Sequence, residues 1–177
     1  TCALTRMESL QHNLISLLAD LPDNTYISIR SFSSPDYLNH RIWNRSSQGL
    51  TKLGLNGARE SAIAFVNTLD DGRADRWGGT RPWEGLDEAF EDHETDTLYF
   101  LSDGEPEQDR NGGSWNVLDQ RSTPNHYANL NKRREISLKV NTIALGNKSK
   151  WMKKLSKNTT GDYLFINKKV VRNRTQE

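Results

Sequence analysis

The chain has 177 residues, 24 basic and 23 acidic side chains, and a formal charge of +1. That length fits one domain rather than two, and the near-zero charge argues against a general nucleic-acid binder, which carries a basic excess on one face. Apolar residues make up 34% and the mean hydropathy is -0.81, so the apolar residues must be concentrated in a few segments if a core is to form.

Apolar runs are short, such as Leu98-Tyr99-Phe100-Leu101, far from the ~20 residues that cross a bilayer. No basic segment leads into an apolar stretch at Thr1, as a signal peptide would. The chain opens directly in a helical pattern, so a natural start is expected upstream. The lone Cys2 excludes an internal disulfide and a cysteine-rich metal site. His12, His40, His93 and His126 are scattered without metal-ligand spacing, which argues against zinc. Asn44, Asn147, Asn158 and Asn173 each begin an Asn-x-Ser/Thr triplet, close to what chance gives in a chain this rich in Asn, Ser and Thr. The compartment stays open, with an extracellular or cell-surface setting slightly favoured.

Thr5 to Glu8 fits a capping box, and Met7, Leu10, Leu14, Leu17, Leu18 and Leu21 then recur at helical spacing up to Pro22-Asp23. Thr25 to Phe32 is rich in β-branched and aromatic residues and predicts a strand. Ser33 to Gly54 carries turn signals and a short edge strand near Arg41-Ile42-Trp43. Leu55 to Leu69 predicts a helix with Ala58, Ala62, Phe65, Val66 and Leu69 inward. A polar loop from Asp70 ends in Gly78-Gly79, and Thr80 to Phe90 predicts a helix capped by Thr80 or Arg81. Thr97 to Leu101 reads as a strand covered on both faces.

Ser102-Asp103-Gly104-Glu105-Pro106 ends that strand, and Glu107 to Pro124 reads as an exposed loop. Asn125 to Ile136 predicts a helix. A strand over Lys139 to Leu145 is stopped by Gly146. A basic helix over Lys148 to Lys157 turns Trp151, Met152 and Leu155 inward, and a last strand covers Tyr163 to Ile166. Residues 1–168 form the expected domain and 169–177 a charged tail. Alternating strands and helices imply a mostly parallel sheet covered on both faces.

Ligands of such sheets bind beyond the carboxyl ends of the strands. Two loops could meet there: Gly78-Gly79-Thr80, entering a helix, and Ser102-Asp103-Gly104-Glu105, leaving a buried strand. The Thr80 hydroxyl and the Asp103 carboxylate are hard oxygen donors suited to Mg²⁺, Mn²⁺ or Ca²⁺. Glycines beside them allow close backbone approach and positive φ. Each loop alone is also an ordinary turn or cap; the pair, in this order and on these elements, is more specific.

From Arg6 to about Ile166 the chain resembles a von Willebrand factor type A (VWA) domain. The resemblance rests on Arg6-Met7-Glu8-Ser9-Leu10, Gly78-Gly79-Thr80-Arg81-Pro82, Leu98 to Pro106, Val140 to Gly146, and Leu155-Ser156 to Gly161-Asp162-Tyr163. It implies a three-layer αβα Rossmann-like fold and a metal-ion-dependent adhesion site. In that site Thr80 and Asp103 would be ligands. Gly78, Gly79, Ser102 and Gly104 would shape the loops, and Glu105 would sit at the rim. The family's first metal loop, Asp-x-Ser-x-Ser on the first strand, has no counterpart, and Thr1 to Leu4 is too short for both. That strand would lie between those matching Thr25–Phe32 and Thr97–Leu101. Three outcomes are open: residues precede Thr1, the chain is truncated, or the two strands close up directly.

Trp77, Trp83 and Trp115 could form an aromatic rim for a protein partner. Alternatively Trp83 packs on its helix, Trp77 covers the loop and Trp115 anchors its own loop. The lysines from Lys148 to Lys157 read as a solvated helix face; Cys2, His93 and His126 have no motif context. The resulting reading is a non-enzymatic interaction module whose divalent cation, Mg²⁺ first, engages an acidic residue of a protein partner. The alternatives are a degenerate, metal-free scaffold within a larger protein, and a metal-dependent hydrolase or phosphotransferase using Asp103.

Overall fold

A computed structural model describes residues 6–33, 41–43, 49–69 and 80–166. The described elements run α1 (Arg6–Asp20), β1 (Tyr26–Ile27), β2 (Ile29–Ser31), β3 (Arg41–Trp43), β4 (Thr51–Lys52), α2 (Ala58–Asn67), α3 (Trp83–Glu91), β5 (Thr97–Ser102), α4 (Asp119–Asn131), β6 (Lys139–Leu145), α5 (Lys150–Asn158) and β7 (Tyr163–Ile166). Thr5, Trp77, Gly78, Gly79 and the expected tail lie outside the described residues.

The C-terminal half is a parallel sheet ordered β5-β6-β7, with Phe100 beside Thr142 and Ala144 beside Phe165. Parallel neighbours need crossover connections, and α4 and α5 provide them. Gly146 stops β6 at φ 82°, a region that glycine enters without a Cβ clash. Ser149 then caps α5 by accepting from the Met152 amide at 3.4 Å. Trp151, Met152 and Leu155 on α5 are fully buried, as their spacing predicts, and Lys150, Lys153 and Lys157 face water. A second core joins α1 and α2 through Leu18, Ala62, Val66 and Leu69, with Trp43 and Leu53 beneath them.

Several elements differ from the sequence reading. Thr25–Phe32 is not one strand. Ile27 pairs antiparallel with Thr51, and Ile29 pairs antiparallel with Trp43, so the segment divides between two partners. The capping of α3 falls to Pro82, with no side-chain cap bond. Leu17, expected on the buried stripe of α1, is 44% exposed because Leu14, Ile15, Leu18 and Leu21 make the packed face. The two faces of β5 are unequally covered, and Leu101 on the outer face is half-buried. Leu98 and Phe100 pack inward, whereas Tyr99 on the other face is 58% exposed.

The loop after β5 is shorter than expected. Gln108 and Ser114 form an antiparallel bridge, and α4 begins at Asp119, with Pro124 inside it. An Asn116–Asp119 exchange starts that helix: Asn116 Oδ1 accepts from the Leu118 amide at 2.8 Å, and Asp119 Oδ2 accepts from the Asn116 amide at 2.9 Å.

No hydrogen-bonded strand pair joins β2 to β5 among the described residues. Direct closure of these two strands is therefore not what the chain does. The two halves meet instead through Phe32 stacked on Phe100, with ring centroids 5.4 Å apart, and through the Arg30–Glu88 ion pair.

Candidate functional site

Three segments converge at the carboxyl edge of the parallel sheet. Thr80 to Pro82 leads into α3, residues 102–108 leave β5, and residues 146–149 leave β6. The Glu107 amide donates to the Thr80 carbonyl at 3.0 Å, which ties the first segment to the second. Asn147 Nδ2 donates to the Asp103 carbonyl at 3.3 Å, which ties the third to the second. Both sequence-predicted oxygen donors therefore stand on adjoining loops. Thr80 is half-buried and Asp103 is exposed.

The supporting residues take distinct places. Ser102 is buried at the end of β5, and its Oγ accepts from the Gly104 amide at 3.4 Å, drawing the loop into a tight bend. Gly104 itself does not use its glycine freedom. It is not among the positive-φ residues, and a Cβ there would meet nothing within 4 Å. Glu105 is half-buried, and its Oε2 accepts from Trp115 Nε1 at 3.1 Å.

The aromatic rim is corrected. Trp83 is 2% exposed and belongs to the main core. Its ring stacks on Trp115 at 5.5 Å and tilts against Trp151 at 5.8 Å, and its Nε1 donates to the Gln108 carbonyl at 3.0 Å. A ring this enclosed has no face left for a partner, so Trp83 fixes the loop to the core. Trp115 is half-buried on the same stack and anchors its loop through Glu105.

Sequence reasoning missed Asn147. The available signal was its place directly after Gly146, at the carboxyl end of β6. It also gave His126 no role. His126 sits in a polar cluster drawn from three distant segments. Arg110 Nη2 donates to both oxygens of Asp87, at 2.9 and 2.8 Å, and its other terminal nitrogen touches His126 Nε2. Tyr127 Oη donates to Asp87 Oδ1 at 2.9 Å. Burial first, then the neighbouring Arg110 charge, hold His126 below the ordinary histidine value. Burial, reinforced by the Asp87 charge, pushes the Tyr127 phenol well above its usual range.

Among the described residues, no group of three or more His, Cys, Asp or Glu side chains is placed to hold a metal ion. Thr80 and Asp103 are two hard-oxygen donors, a partial set for a cation that takes six or more. The donor chemistry suits Mg²⁺, Mn²⁺ or Ca²⁺, and further oxygens would have to complete it.

No family model matches the sequence. No curated protein matches it either. Among solved structures, a von Willebrand factor type A structure from Catenulispora acidiphila superposes with a TM-score of 0.65 over 96% of this chain, at 15% identity. The chain spans 37% of the length of that protein. The chain has a VWA-like α/β fold. Among the described residues, no helix is long and apolar enough to cross a membrane.

Proposed function

We propose that this chain is a protein-interaction module that engages an acidic group of its partner through a divalent cation. Thr80 and Asp103 supply two of the cation's oxygen ligands, with Mg²⁺ the first choice and Mn²⁺ or Ca²⁺ the alternatives. An open coordination position attracts a carboxylate electrostatically, and no covalent bond changes. The observation that carries this reading is the junction of the two predicted loops at the carboxyl edge of the sheet, through the Glu107–Thr80 hydrogen bond. The VWA-like fold supports it.

Mn²⁺ tests the metal directly. Added to the ¹⁵N-labelled chain, it should broaden the amide signals of residues 80–82 and 102–107 selectively, and Asp103→Ala should abolish that selectivity. Uniform broadening, or selective broadening elsewhere, would refute the site.

A second reading is a metal-free scaffold on the same fold. It is favoured by the lack of a three-carboxylate or histidine cluster among the described residues. It predicts partner binding that EDTA leaves unchanged.

A further inference from the structure

Away from the Thr80–Asp103 end, α3 and α4 leave a cavity of about 370 Å³ between them. Its apolar lining is Phe90 and Leu130, and its polar lining comes from α3, α4, the loops on either side of β5 and the turn that follows α4. Three guanidiniums face two carboxylates there: Arg110, Arg133 and Arg134 against Asp87 and Glu91.

The groups are not equally free. Asp87 is taken up by Arg110 and by the Tyr127 hydroxyl. Arg110 is therefore neutralised, and its Nε is buried without a hydrogen-bond partner. Arg134 is 8% exposed, and its guanidinium donates to the carbonyls of Phe90 and Thr95, both at 2.5 Å, and of Ile136 at 3.0 Å. Carbonyl oxygens hydrogen-bond that cation and the Asp92 carboxylate offsets part of its charge, so what reaches the cavity is a reduced positive field. Arg133 is exposed, and its side chain has no partner among the described residues. His93, also exposed, lines the cavity beside it.

We propose that this groove binds a small molecule with an oxyanion head, a phosphate or a carboxylate, on a compact apolar body. The free guanidinium of Arg133 offers a planar fork that matches two oxygens of either group. His93 adds a donor, and the buried Arg134 charge adds attraction without competing for the same oxygens. Leu130 and the edge of Phe90 receive the apolar body. Glu91 repels a second negative group, so the ligand carries its charge at one end. The volume lies at the lower end of the range of small-molecule sites.

The test is an NMR titration of the full 177-residue chain with phenyl phosphate and with phenylacetate, beside inorganic phosphate and benzyl alcohol. Phenyl phosphate or phenylacetate should give saturable shifts centred on His93, His126 and Arg133. Each should bind more tightly than the probe that lacks its apolar body or its charge, and the tighter of the two identifies the head group. Arg133→Ala should weaken binding about tenfold, the loss expected for one charge-assisted contact. Arg133→Lys should recover part of it, and His93→Ala should weaken it with the peak dispersion unchanged. Shifts that stay linear, shifts centred elsewhere, benzyl alcohol binding as well as phenyl phosphate, or an Arg133→Ala titration equal to wild type would each overturn the proposal.

Discussion

Gly161 lies where the turn before β7 crosses β6. An ideal Cβ on Gly161 would sit 1.9 Å from the Val140 carbonyl oxygen and 2.4 Å from its carbon, where ordinary contact begins at 3.4 Å. Its φ is outside the left-handed region, so the objection to a side chain is contact alone. The turn cannot easily retreat. The Gly161 amide donates to the Ser156 carbonyl at 2.8 Å, the Asp162 amide to Asn141 Oδ1 at 3.0 Å, and the Thr142 amide to the Asp162 carbonyl at 2.8 Å. Gly161→Ala should therefore combine an overpacking cost of ~1–3 kcal/mol with the weakening of one or more hydrogen bonds at ~1 kcal/mol each. A total of about 3 kcal/mol corresponds to a fall in Tm of ~6–12 °C for a chain of this size. Gly85 in α3 is the matched control, because a Cβ there meets nothing within 4 Å. Gly85→Ala should raise stability by ~0.5 kcal/mol through helix propensity. Urea and thermal unfolding followed by circular dichroism measure both. A Gly161→Ala variant within ~0.5 kcal/mol of wild type would refute the close-packed crossing.

Two other outcomes follow from the geometry. Trp83→Ala should destabilise the chain by ~3–5 kcal/mol, because the ring is sealed between Trp115 and Trp151; a loss under ~1 kcal/mol in urea unfolding would mean the ring is free, as a partner-facing rim requires. His126 is neutral over a wider acidic range in the folded chain than in the unfolded one, since its folded value lies below the ordinary 6.5. The unfolded state then binds the extra proton as pH falls below 6.5, so stability declines through that window toward the folded value. Tm measured from pH 7.5 to 5 should fall less steeply in His126→Gln, and parallel slopes would contradict the assignment.

The C-terminal half was the legible part of the sequence. Its parallel strands are short apolar runs, and α5 announces itself through Ser149 at the cap and Trp151, Met152 and Leu155 on one stripe. The start of α4 was obscured by Pro124, which reads as a break. The residue stands in the second turn of the helix, and Asn116 and Asp119 begin the helix ahead of it. Those two residues carried a readable capping signal. The division of Thr25–Phe32 between β3 and β4 was not readable, because strand pairing depends on partners far along the chain. Thr80 and Asp103 could be named from residue type and position. Their junction through Glu107, the tether from Asn147 and the Asp87–Arg110–His126–Tyr127 cluster could not, since each joins segments separated in sequence and leaves no local pattern.

The most direct test of cation-mediated engagement uses a short peptide with one central aspartate and its asparagine counterpart, titrated into the chain in Mg²⁺ and in EDTA. The aspartate peptide should bind in Mg²⁺, and EDTA, the asparagine replacement and Asp103→Ala should each abolish binding. Equal binding of the aspartate peptide in Mg²⁺ and EDTA would contradict cation-mediated engagement.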